Sequence, residues 1–245
     1  MTRFRAASTH LAISAVVGAI LFALFWFGWY PSPLFKAVGG YELFLMLLAI
    51  DVILGPLLTL VVFKSGKKSL KFDLAFIGLV QAAALFFGVW TLLAGRPVYV
   101  AALGIRFDVI QASQVAQSDL DFARKSLPLW GPEWVGFKEA ADPKERERIL
   151  FSGVSGGYDY GQLPQYHAPF ESMRNKLLAN ALPISALRAK NPTQDAEITA
   201  WLASHGCDDR SAVFQGLKAR SQDMAVILDA KTAAVVGIAP FKPWD

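Results

Sequence analysis

"LAIDVILGPLLTL", Leu48 to Leu60, is an apolar run with one carboxylate in it. Asp51 lies among Leu, Ile and Val, and Gly55-Pro56 follows one helical turn later. The apolar character extends over about residues Leu43 to Phe63. At ~1.5 Å per residue, about 20 residues cross a ~30 Å hydrocarbon core, so this segment is long enough to span a bilayer.

Two more segments share that character. "LAISAVVGAILFALFWFGW", Leu11 to Trp29, has Ser14 as its only notably polar residue. Arg3 and Arg5 precede it, as they would a cleaved signal. Its apolar part is longer than a signal's, however, and it ends in aromatics and "YPSP" rather than at a small-residue cleavage site. It reads as an uncleaved span. The third span runs over about Leu74 to Leu93.

The charges set the orientation. The chain of 245 residues is 54% hydrophobic and carries a net charge of +4. From Arg96 onward there are 17 basic and 17 acidic residues, so the surplus lies wholly beside the spans. The loop "KSGKKSLKFD" holds Lys64, Lys67, Lys68 and Lys71, whereas "YPSPLFKAVGGYE" holds only Lys36. Cytoplasmic loops are enriched in Lys and Arg. The N-terminus and the Lys-rich loop are therefore expected inside, and everything after Arg96 outside, which in a bacterium is the periplasm. Trp26, Trp29, Tyr30 and Trp90 fall at the expected outer interface. No patterned basic patch for nucleic acid is present. With Cys207 as the single cysteine there is no internal disulfide, no CxxC and no Cys/His metal spacing.

Residues 1–95 are thus read as a transmembrane domain, and 97–245 as a periplasmic α+β domain with a small antiparallel sheet. "PVYVAAL", "IRFDVIQ" and "EWVGFKE" read as strands, and "DMAVILDAKTAAVVGIAPF" as a hairpin turning near Ala230 to Thr232. "SDLDFARKS" reads as a helix capped by Ser118. "DPKERERILFSG" reads as one capped by Asp142, with Pro143 in the first turn and Glu145 completing a capping box. "APFESMRNKLLANA" and "NPTQDAEITAWLASHG" read as helices, the latter ending at Gly206.

The sequence offers little for catalysis. Asp51 and Asp73 could form an intramembrane protease dyad only within a few ångströms of each other. Asp51 lies twelve residues from the inner end of its span, about 18 Å deep, while Asp73 stands at the mouth of the next. His205 and Cys207 in "SHGCDD" are read as a helix end and a polar turn rather than a thiol-imidazole pair. "SGVSGGYDYG" lacks the phosphate-loop order and reads as a loop.

The intramembrane polar residues carry more. A charge at mid-bilayer costs at least ~2.5–3.5 kcal/mol, which favours the neutral, proton-donating form of Asp51. Gln81 lies at a comparable depth in the third span. Either Asp51 bonds Gln81 and joins spans two and three, or it faces a groove for a partner's transmembrane helix. Pro56 would free a carbonyl near Val52 for such a partner. Ala75, Gly78 and Ala82 form a small-residue stripe that lets a helix approach closely.

Taken in order, several segments resemble the type IV pilin accessory proteins of the TfpX/TfpZ family. They are "DVILGPLLTLVVF", "KKSLKFDL", "GRPVYV" with "RFDVIQASQV", "LPLWGPEWVGF", "DYGQLPQY" and "DMAVILDAKTAAVVGIAPFKPW". The resemblance covers most of the chain. It implies an inner-membrane, chaperone-like factor for type IV pilin, with no catalytic residues, no cofactor and no metal. On that reading Asp51, Gly55, Pro56 and Gln81 engage the pilin's transmembrane helix. Residues 97–245 hold the pilin head, with Val226 in a "MAVIL" strand whose edge adds to the pilin's sheet. The competing readings are a periplasmic-sensing membrane signalling protein and a pilin-modifying enzyme.

Overall fold

The computed structural model describes residues 2–244. They form two compact units. One comprises the chain up to Phe35 together with Gly39–Arg96, and the other comprises Lys36–Val38 and the chain from Pro97 on.

The first unit is built on three helices, α1 (Arg3–Trp29), α2 (Gly40–Val62) and α3 (Leu70–Gly95), each long and apolar enough to cross a membrane. They extend past the apolar runs because helical hydrogen bonding does not stop where hydrophobicity does. Thr2 caps α1, its side chain accepting from Arg5 N. α2 packs along both neighbours, which scarcely touch each other. Gly18 lets α1 close on α2, since a Cβ there would stand 2.7 Å from Leu48 Cδ2. At the end that carries Trp29, the helices are joined by an aromatic cluster. Phe25 meets Phe44 edge-on at 5.7 Å, and Tyr30 lies 5.0 Å from Phe35. The Tyr30 hydroxyl donates to Leu92 O. Trp29 and Tyr30 are therefore buried in this cluster instead of facing an interface, while Trp90 stays exposed.

The second unit corrects the expected small antiparallel sheet. It holds eight strands: β1 (Pro97–Ala102), β2 (Phe107–Gln111), β3 (Glu133–Phe137), β4 (His167–Pro169), β5 (Leu182–Pro183), β6 (Ala212–Lys218), β7 (Met224–Asp229) and β8 (Val235–Ala239). Their order is β4-β3-β1-β2-β6-β7-β8, with β5 beside β6. β1 runs parallel to β3, and β2 parallel to β6, so the sheet is mixed. Both parallel pairs join strands far apart in sequence, which alternation within each strand does not reveal. β6 goes unnoticed in the sequence because it is buried on both faces and carries Gln215. Inside the fold, Gln215 Nε2 donates to Gly104 O at 3.0 Å and to Leu177 O at 2.9 Å.

Five helices surround the sheet: α4 (Gln117–Ala123), α5 (Pro143–Val154), α6 (Arg174–Asn180), α7 (Ile184–Lys190) and α8 (Asp195–Ser204). α7 and α8 cover β6 to β8 through Ile184, Leu187, Ile198, Leu202, Phe214 and Ile227. Ala116, not Ser118, occupies the cap of α4. Asp142 caps α5 by accepting from Lys144 N, but Glu145 turns to Arg148 instead of back to the cap. The expected "APFESMRNKLLANA" helix divides into β4, a short 3₁₀ turn and α6. Gly206, at φ +70°, ends α8. The β7–β8 turn is held by the Asp229 carboxylate, which accepts from Lys231 N and Thr232 N.

The C-terminal residues and the segment Lys36–Val38 also belong to this unit. Asn191 pairs with both backbone groups of Lys242, and Trp244 Nε1 donates to Asp223 Oδ2. Ala37 O accepts from Ser221 N at 2.9 Å and Gln222 N at 3.0 Å.

Candidate functional site

The site begins with what Pro56 does to α2. Proline has no N–H and crowds the preceding turn. The helix responds by widening over Ala49–Leu54 into a π-helical turn, in which Gly55 N bonds Ile50 O, five residues back. In this register position 56 would donate to Asp51 O, and proline cannot. The freed carbonyl is thus that of Asp51, one residue earlier than the Val52 expected for α-register.

Gln81 supplies the missing donor. Its Nε2 reaches Asp51 O at 3.4 Å. The approach depends on Gly55, because a Cβ there would collide with the whole Gln81 amide. The four residues singled out in the spans therefore converge. Gly55 and Pro56 are buried, and Gln81 lies across Gly55 to the Asp51 backbone. The link between spans two and three runs through the Asp51 carbonyl. Asp51 Oδ2 and Gln81 Oε1 are both buried without a hydrogen-bond partner.

Asp51 and Gln81 line a cavity of about 230 Å³ inside the first unit. α1 contributes His10, Ser14 and Gly18, α2 contributes Leu48 and Asp51, and α3 contributes Gly78, Gln81 and Ala82. His10 Nδ1 lies 2.7 Å from Thr59 Oγ1, and Ser14 and Thr59 are buried. Sequence reasoning missed this side of the site. Its signal was the repeat His10, Ser14, Gly18 at four-residue spacing, which puts polar and small groups on one helix face. Ala75, Gly78 and Ala82 are exposed, and Gly78 has open space where a Cβ would be. The small stripe on α3 does not pack against α2.

The remaining candidates lie apart. Asp73 pairs with Lys67 at 2.7 Å and Ser69 at 3.1 Å, away from the Asp51 cavity. His205 stacks on Trp201 at 3.8 Å, and its Nδ1 lies 2.8 Å from Trp201 O. The Cys207 thiol donates to Leu202 O at 3.5 Å, so the two do not form a pair. Among the described residues, no group of three His, Cys, Asp or Glu side chains gathers as metal ligands would. Val226 sits in β7, paired to β6 and to β8, and is fully buried. It therefore presents no edge. The edge on that side of the sheet is β8. The glycine-rich loop lines a polar cleft with Arg106, which binds Asp108 at 2.7 Å and stands 3.7 Å from Asp159.

No family model and no solved structure matches the chain. Curated relatives do. The fimbrial assembly protein of serogroup I from Dichelobacter nodosus is 28% identical over 228 residues, covering 90% of this chain and 88% of that protein. Its serogroup E1 counterpart is 29% identical over 231 residues, with the same coverage. The protein of serogroups C1 and C2 is 37% identical over 94 residues, 37% of this chain and 71% of that protein. The order of motifs along the chain and this agreement place it in one group: the chain belongs to the family of fimbrial assembly proteins, the type IV pilin accessory proteins that its sequence resembles.

Proposed function

We propose that this chain is an inner-membrane accessory factor that receives type IV pilin before assembly and keeps it stable. The observation that carries the reading is the partly polar cavity lined by α1, α2 and α3, with His10, Asp51 and Gln81 in its wall. The pilin's transmembrane helix enters along the exposed Ala75, Gly78 and Ala82 face, where small side chains allow close backbone approach. The C-terminal domain engages the pilin head, with β8 as the strand available for edge pairing. The names of the relatives support an assembly role rather than catalysis.

Orientation follows the charges. The Lys-rich α2–α3 connection is cytoplasmic and the C-terminal domain periplasmic. That Lys36–Val38 belongs to the same compact unit as the C-terminal domain supports one side for both.

Deleting the gene tests the function. An accessory factor predicts that the major pilin protein is lost or short-lived while its transcript is unchanged. Altered pilin transcription would point instead to a sensor, and a pilin of changed mass to an enzyme. Either result overturns the proposal.

A further inference from the structure

We infer that the polar cleft walled by the glycine-rich loop receives a carboxylate, presented by an acidic side chain on the pilin's periplasmic head. This rests on the reading above that the C-terminal domain engages that head.

The cleft, of about 440 Å³, gathers three cations, Arg106, Lys218 and Arg220, and two carboxylates, Asp108 and Asp159. Both carboxylates are already served. Asp108 takes the Arg106 guanidinium on its two oxygens, at 2.7 and 3.2 Å. Asp159 accepts from Tyr160 N at 2.7 Å and stands 3.7 Å from the same arginine. The exposed side chains of Lys218 and Arg220 make no hydrogen bond or ion pair with any described residue. Two amides in the lining add donors. Gln114 Oε1 accepts from Gln111 N, and Gln162 Oε1 from Asp159 N, each at 2.7 Å. Flipping either amide would set donor against donor, so their nitrogens are the groups left for a ligand. The lining thus holds a surplus of donors and a net positive charge, and an anion completes it. Arg220 is presented from a held turn: Asp223 accepts from Ala219 N at 2.9 Å, and Ala37 O from Ser221 N. Two unpartnered cations match one or two carboxylates and are too few for a polyanion. A lipid's acyl chains find no apolar surface here, because Val109 and Ile110, the larger apolar residues of the lining, are buried in β2. Gly156 leaves open space where a Cβ would be, so that wall admits a partner's main chain.

The experiment is photocrosslinking of the full-length chain in cells that make its major pilin. A crosslinker at Ser155, exposed in the glycine-rich loop, should trap the pilin through its head. Lys218→Glu with Arg220→Glu reverses the two free cations and should lower the yield about tenfold, the factor given by losing two exposed ion pairs. Lys218→Arg with Arg220→Lys keeps both charges and should stay within about twofold. Each exposed acidic residue of the pilin head is then changed to Lys. One such change should lower the wild-type yield and raise that of the reversed chain, a rescue that a structural role for the two cations does not predict. If the reversed chain fails to accumulate, Lys218→Ala with Arg220→Ala takes its place: the yield should fall about threefold, and the same pilin change should then cost nothing more. A yield indifferent to the cleft variants, or a loss that no pilin change rescues or masks, sinks the inference. So does a failure to trap pilin at Ser155, and trapping of phospholipid alone assigns the anion to a headgroup and overturns it too. Each of these leaves the accessory reading standing as long as deleting the gene still destabilises pilin; a pilin unharmed by the deletion sinks that reading itself.

Discussion

Replacing Gly55 by Ala tests whether Gln81 is held against α2 as described. A Cβ at position 55 would stand 2.6 Å from the Gln81 amide carbon and 2.8 Å from its oxygen, and closer still to its nitrogen. Real side chains do not come so near, so Gln81 must swing away. That breaks its bond to Asp51 O, which at the intramembrane average is worth ~0.6 kcal/mol. It also leaves a buried carbonyl that Pro56 cannot serve, at ~1–3 kcal/mol. The better helix propensity of Ala returns at most ~1 kcal/mol. The expected net effect is a destabilisation of about 1–2 kcal/mol.

On a Gln81→Ala background the same substitution has no amide to displace. Only the propensity gain remains, so the effect should be neutral or stabilising by up to ~1 kcal/mol. The change of sign between backgrounds is a coupling of roughly 2 kcal/mol. Thermal unfolding of the four full-length chains in detergent measures it, at about 2–4 °C per kcal/mol for a chain of this size. A Gly55→Ala effect that is the same in both backgrounds would refute the account of why glycine precedes the proline.

Two further predictions concern the C-terminal domain. Burial pushes the His167 imidazole down to about 4 from an ordinary 6.5, and its Nε2 is bonded to Gly161 O. The folded domain thus favours the neutral ring. This contribution is fully present above pH 6.5 and is lost as the pH falls toward 4, by about 3 kcal/mol in all. Asp208, Asp229 and Glu145 are held below the usual carboxylate range by their hydrogen-bond partners, so their losses come at lower pH. Melting of the full chain at pH 7 and pH 5 should show the difference, and His167→Gln should flatten it. Gly216→Val should evict Trp244, whose ring occupies the space where the Cβ would be, and break its bond to Asp223. Removing Trp244 should then cost nothing more, as limited proteolysis of the C-terminus reads.

The elements that were legible are those whose signal is local. The spans follow from apolar length. The β7–β8 hairpin follows from alternation around Asp229, and the α8 end from Gly206. What the sequence hid is of two kinds. Sheet order depends on which distant strands meet. Val226 looks like an edge residue until β8 is seen to take the outer place and β6 the inner one. β6 itself lacks alternation because both its faces are covered.

The site hid for a subtler reason. Asp51, Gly55, Pro56 and Gln81 all stand out in the sequence, and counting in α-register puts the carbonyl freed by Pro56 at Val52. The proline changes the register itself. Once the turn before it widens to five residues, the orphaned carbonyl moves from Val52 to Asp51. It is served from α3 by Gln81, which passes over Gly55 to reach it. Pro56 therefore does more than kink a span: it creates the acceptor through which α3 is tied to α2.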